Sequence, residues 1–187
     1  MTEIIDRIRT SLVGLRMPRA LEVLDHTMRC LERGEMTALE AIDILLSHEY
    51  GNRESRRFTV GLKTSRLMPM KTLEGFDFSF QPSLDRGRIL ALAQLDFIER
   101  GEVVHLLGPP GTGKSHLATA LGAEAVRAGK RVYRASLAEV IDMLVRAERD
   151  GRLPERLRFF NRNTLLIVDE IGYLPVTPGG ANLFFQL

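Results

Sequence analysis

With 187 residues, 44% of them hydrophobic, and a formal net charge of only +2, the chain is long enough for one sizeable core or for a domain with an appendage, and its overall charge singles out no partner. One cysteine, Cys30, excludes an internal disulfide and suits a reducing compartment. The opening MTEIIDRIRT carries acids and no apolar signal segment, and no apolar run approaches the ~18 residues that span a bilayer, so a cytoplasmic protein without a membrane partner is expected.

The first 72 residues read as a helical region for DNA or partner contact. Ile4, Ile5, Ile8, Leu12 and Leu15 recur at helical spacing. Pro18 opens a second helix that turns Leu21, Leu24, Met28 and Leu31 inward and ends at Gly34. Thr37 and Glu40 form a capping box for a third, with Ile42, Leu45 and Leu46 as its apolar stripe. The stretch Asn52 to Lys71 then holds six basic residues, Arg53, Arg56, Arg57, Lys63, Arg66 and Lys71, against one acid, Glu54. Such a local excess attracts a polyanion, or is an ordinary solvated helix face. Residues 73–83, LEGFDFSFQPS, read as a linker whose Phe76, Phe78 and Phe80 lie as an extended strip on the next domain.

From residue 84 to 187 the pattern is alternating helix and strand. Ser83 or Asp85 caps a helix that runs through Glu99, with Ile89, Leu92 and Leu95 inward, and Gly101 ends it. Val103–Leu107 is a short continuous apolar run of buried-strand type. A helix follows through Leu117, Leu121 and Val126 to Gly129, then a strand at RVYRA. Ser136 and Glu139 form a second capping box, opening a helix with Val140, Met143 and Leu144 inward. A short helix starts at Pro154, and TLLIVDE is a third strand. This order predicts an α/β fold, a parallel sheet with helices on both faces.

Gly108-Pro109-Pro110-Gly111-Thr112-Gly113-Lys114-Ser115 matches the Walker A pattern G-x-x-x-x-G-K-[ST] in full. Glycines let successive N–H groups converge on one anion, and a helix beginning near Gly113 adds the positive end of its dipole. Lys114 supplies a mobile positive charge for the β and γ phosphates of a nucleotide. The Ser115 hydroxyl suits Mg²⁺, a hard ion that prefers oxygen. At the end of LLIVDE, Asp169 is placed to support the metal and Glu170 to polarise an attacking water. His26, His48, His105 and His116 show no metal-ligand spacing with Cys30 and read as packing or surface residues.

HLLGPPGTGKSHLATALG together with LLIVDEIGYLP resembles the IstB-type transposition helper ATPases, AAA+ proteins related to the DnaC-type helicase loaders. FDFSFQPSLDR and GANLFFQL extend the resemblance over nearly the whole chain. It implies a P-loop domain of AAA+ type that binds ATP and Mg²⁺ through Gly108, Gly111, Gly113, Lys114, Ser115 and Asp169, with Glu170 driving hydrolysis. It also implies self-association on double-stranded DNA in an ATP-dependent oligomer that stimulates a partner transposase. DNA contact by Arg53, Arg56, Arg57, Lys63 and Arg66 is a looser extension of it.

The resemblance further implies a sensor strand, a fifth strand, an arginine reaching a neighbour's ATP and a helical lid, none of which the sequence contains. In the family's sheet the fourth strand lies between the first and the third, so residues 103–107 and 165–168 are expected to lack their shared neighbour. Each unsatisfied buried backbone group costs ~1–3 kcal/mol, against a net stability of ~5–15 kcal/mol. A C-terminally truncated copy is therefore expected, able to bind nucleotide but lacking the parts that sustain turnover. Two other readings stay open: a replicative helicase loader, and a non-hydrolysing nucleic-acid-binding remnant.

Overall fold

A computed structural model describes residues 2–171 and 179–187. The GYLP portion of the DEIGYLP motif lies outside the described residues. Contacts divide the chain into two compact units, Met1–Thr59 and Val60–Leu187, and the division falls within one long helix.

The first unit contains α1 (Thr2–Gly14), α2 (Pro18–Glu32) and most of α3 (Ala38–Thr64). Leu12, Ala20 and Leu24 form its buried centre, with Ile8, Met17, Leu21, Met28 and Leu45 packed around them. Each fully buried Leu contributes roughly 1.5–3 kcal/mol of transfer free energy. Arg9 on α1 pairs with Asp25 on α2 at 2.6 Å. The capping box of α3 forms as expected: Glu40 N–H donates to Thr37 Oγ1 at 3.3 Å, and Thr37 N–H donates to Glu40 Oε2 at 2.6 Å.

The apolar stripes of α1 and α3 are only partly buried. Ile4 and Leu15 are exposed: Leu15 lies past the end of α1, and Ile4 sits in its first turn. On α3, Ile42 and Leu46 also face solvent. Ala41 and Glu49 occupy the buried positions instead.

In the second unit, β1 (Val132–Ser136) and β2 (Leu165–Asp169) pair in parallel, with Val132 opposite Leu165 and Ser136 opposite Asp169. Period-two alternation gives the pair two faces. Ile167 lies on one, beside α6 (Lys114–Arg127), where it and Leu67 approach Gly122 so closely that a Cβ there would sit 2.7 Å from Ile167 Cδ1. Tyr133, Ala135 and Leu166 lie on the other, in a core with Val140 and Leu144 of α7 (Leu137–Arg149), Phe160 of α8 (Leu153–Asn161) and Leu183 of α9 (Gly180–Phe184). Helices therefore cover both faces of a parallel pair, as the alternating pattern implies. The Ser136–Glu139 capping box of α7 forms in both directions.

Three expectations change here. The helix expected to run through Glu99 is two pieces, α4 (Arg86–Leu92) and α5 (Asp96–Glu99), because Leu95 takes a left-handed conformation with φ +67° and breaks the run. Asp85 does cap α4, accepting from Arg88 N–H. The phenylalanine strip is not extended: Phe78–Phe80 form a 3₁₀ turn capped by Asp77, and Phe80 projects into solvent.

Residues 103–107 form no strand. They run unpaired, with Val103 78% and Leu107 89% exposed. Among the described residues no neighbouring strand meets them, and β2 is paired only with β1. An apolar run becomes a strand only when its N–H and C=O groups find a ladder. Between this segment and β2 lies an open cavity of about 1000 Å³.

Candidate nucleotide-binding site

The glycine loop ends at α6, whose N-cap is Gly113 at φ +85°. No side chain caps that helix. The first intrahelical bond from its start is Leu117 N–H to Gly113 C=O, at 3.0 Å. The N–H groups of Lys114, Ser115 and His116 thus lack intrahelical acceptors and converge at the loop, with the helix dipole behind them. Gly108 and Gly111 also have positive φ, +154° and +79°, a region that favours glycine.

At Gly113 a side chain is excluded twice. Its backbone is left-handed, and a Cβ would lie 2.5 Å from Cε2 of Phe76. Phe76 packs edge-on against His116 and Phe78, with ring centroids 5.2 and 4.9 Å away. The His116 ring nitrogen Nε2 lies 2.9 Å from the Thr72 carbonyl oxygen. Thr72 and Phe76 are therefore tied to the first turn of α6. Among the described residues no group of three or more His, Cys, Asp or Glu is arranged as a metal cluster.

Lys114 folds back over the loop, its Nζ donating to Pro109 C=O at 2.6 Å. Thr112 Oγ1 donates to the same carbonyl at 2.9 Å, which draws the loop into a closed turn. Opposite, β2 ends at Asp169. Ser115 Oγ donates to Asp169 Oδ1 at 3.1 Å, joining residues 54 apart in sequence. Glu170 N–H donates to the same oxygen at 3.0 Å. Glu170 follows in a left-handed conformation, φ +58°, with its side chain exposed. All of the loop residues, Asp169 and Glu170 come from the second unit.

Sequence reasoning missed Arg134. From β1 its Nη2 donates to Asp169 Oδ2 at 2.7 Å. The only signal was an arginine between Val132 and Ala135, the two buried residues of the strand. Burial pushes the Asp169 carboxyl up, but hydrogen bonds from Arg134, Glu170 N–H and Ser115 outweigh it and hold it below the usual carboxylate range. A hydroxyl and an ionised carboxylate at one point are the hard oxygen donors that Mg²⁺ takes alongside phosphate oxygens, so the donor set fits that ion.

The basic residues divide by what they touch. Arg53 has a structural role: it pairs with buried Glu49 at 3.0 Å, and its Nη2 donates to the carbonyls of Leu15 and Arg16. Arg66 sits 3.2 Å from Glu139 and over the Tyr133 ring. Arg57 lies 3.7 Å from Glu54 with both side chains largely exposed, while Arg56 and Lys63 are exposed on α3.

A glycine loop at a helix N-terminus, faced by a strand-end aspartate, is the phosphate- and metal-binding arrangement of the P-loop nucleotide-binding proteins. Residues 10–187 match the family described as IstB-like ATP binding protein, and the chain belongs to that family. It is 46% identical over 165 residues to a protein of Pseudomonas aeruginosa named as the ATP-binding protein of insertion sequence IS21, covering 87% of this chain and 62% of that one. Identity is 41% over 143 residues to the corresponding protein of insertion sequence IS5376 from Geobacillus stearothermophilus, covering 76% and 57%. It is 34% over 181 residues to that of IS232 from Bacillus thuringiensis subsp. berliner, covering 97% and 72%. The chain thus spans about six tenths of the length of the first two relatives. No helix among the described residues is long and apolar enough to cross a membrane.

Proposed function

We propose that this chain binds ATP with Mg²⁺ at residues 108–115 and acts as a DNA-binding helper in transposition, through an AAA+-type nucleotide domain. The observation that carries the reading is the Ser115–Asp169 contact at 3.1 Å, which unites the two metal-ligand positions beside the uncapped start of α6. The backbone N–H groups of residues 113–116 receive the phosphates. Lys114 leaves the Pro109 carbonyl to meet the outer phosphates, a short swing for a side chain with four rotatable bonds. Ser115 and Asp169 hold the metal, which when bound neutralises phosphate charge. Glu170, exposed beside Asp169, accepts a proton from water where hydrolysis occurs. The names of the relatives, ATP-binding proteins of insertion sequences, support the transposition setting, with double-stranded DNA, a transposase and further copies of the chain as partners.

Binding of a fluorescent ATP analogue and of duplex DNA, measured with and without the other, tests the reading. Lys114→Ala is expected to lower nucleotide affinity at least tenfold and to abolish any ATP effect on DNA binding. DNA affinity that is unchanged by ATP in the wild-type chain would point instead to a non-hydrolysing nucleic-acid-binding protein.

A further inference from the structure

Asp169 is gripped from three directions. Ser115 Oγ and Glu170 N–H meet Oδ1, and Arg134 Nη2 meets Oδ2. The Arg134–Asp169 pair is the most enclosed of the ion pairs between described side chains, with 28% and 20% of the two side chains exposed. The parallel register sets this up. Ser136 lies opposite Asp169 and Arg134 opposite Ile167, so Arg134 and Asp169 project from the same face of the two strands. The Arg134 backbone N–H is itself fixed to Ser65 C=O at 3.1 Å.

The guanidinium approaches through one nitrogen. Its Nε is buried and has no hydrogen-bond partner among the described residues. A contact selected for stability would use the fork in full, since a two-bond grip is stronger and an unpaired buried N–H is costly. The end-on approach instead occupies Oδ2 alone and leaves Oδ1, the oxygen beside Ser115, toward the glycine loop.

We propose that Arg134 is a positioning residue that orients Asp169 so that Oδ1 and Ser115 Oγ together receive the Mg²⁺ of the bound nucleotide. This rests on the nucleotide reading given above. Arg134 touches neither phosphate nor metal in this role; it acts through the carboxylate, and partners of metal-ligating carboxylates typically set affinity by ~10–100-fold.

The test uses the full 187-residue chain and a fluorescent, slowly hydrolysed ATP analogue. Its affinity is measured first in EDTA, then during a MgCl₂ titration. Arg134→Met, similar in length but without a donor, is expected to weaken the Mg²⁺ response by ~10–100-fold while leaving metal-free nucleotide affinity within about twofold of wild type. Arg134→Lys, which keeps charge and a donor, is expected to recover most of the loss. An unchanged or stronger Mg²⁺ response in Arg134→Met overturns the proposal, as does equal loss of metal-free and metal-dependent binding, which marks a purely structural role. Should Arg134→Met fail to fold by circular dichroism, Arg134→Gln against Arg134→Lys decides: equal Mg²⁺ responses overturn it. Nucleotide binding that is absent in the wild-type chain, or indifferent to Lys114→Ala, overturns the nucleotide reading itself.

Discussion

The Asp169 carboxylate accepts from Ser115, Arg134 and the Glu170 N–H at once. Burial raises its pKa, and the donors Arg134, Glu170 N–H and Ser115 lower it further than burial raises it. A carboxyl whose folded pKa is depressed stabilises the fold while ionised. That contribution is fully present above the unfolded value, about pH 4, and is lost as pH falls through the lower folded value. Asp169→Asn is therefore expected to melt below wild type at neutral pH, where it strands the half-buried Arg134 guanidinium, and the gap is expected to close in acid. Melting temperatures taken from about pH 7 down to about pH 2.5 check this. Parallel acid limbs for the two proteins would show that the carboxylate contributes nothing to the pH dependence. The pair was illegible in the sequence because Arg134 and Asp169 lie 35 positions apart, and only the pairing of β1 with β2 brings them together. Ser115 and Asp169 were each legible, since a short motif marks each.

At the scale of elements, most signals that act over three or four residues were read correctly. Both capping boxes, the start of α2 at Pro18 and the start of α6 after Gly113 are local, and all are present. The 3₁₀ turn that Asp77 caps at Phe78–Phe80 is local too and was missed; the other failures left no local signal. Residues 103–107 have strand composition but no ladder partner, and Leu95 breaks a helix whose apolar spacing ran on unchanged. Ile42 and Leu46 repeat at helical spacing, yet α3 buries Ala41 and Glu49. The same contrast orders the energetics of α7. Ser136→Ala removes one cap and is expected to cost ~1 kcal/mol. Leu144→Ala, at a position with no exposure and surrounded by Val140, Phe160 and Leu183, is expected to cost ~2–5 kcal/mol. Urea denaturation of the two variants gives the ranking, and a cap as costly as the core leucine would mean that α7 is held by its end rather than by its face.

For the whole molecule, a net charge of +2 leaves any hold on DNA to local concentrations of charge, and Arg53, Arg56, Arg57 and Lys63 in the second half of α3 form one of them. Its basic residues are not equivalent. Arg53 is committed to Glu49 and to two carbonyls at the end of α1. Burial pushes the Glu49 carboxyl up, but Arg53 and the N–H groups of Arg19 and Ala20 hold it below the usual range. Arg56 and Lys63 are exposed, and Arg57 has only a loose, solvated pair, worth little to stability. A triple variant, Arg56→Ala with Arg57→Ala and Lys63→Ala, is thus expected to keep its melting temperature and lose DNA affinity. Each phosphate contact removed reduces the slope of log affinity against log salt by about 0.9. Arg53→Ala is expected to do the reverse, lowering the melting temperature and leaving the salt slope unchanged. DNA binding measured across a range of salt concentrations, beside thermal melts of the same preparations, separates the two. A triple variant with the wild-type slope would move the DNA contact off α3, and a fall in slope for Arg53→Ala at unchanged stability would make that arginine a phosphate ligand despite its ties to α1.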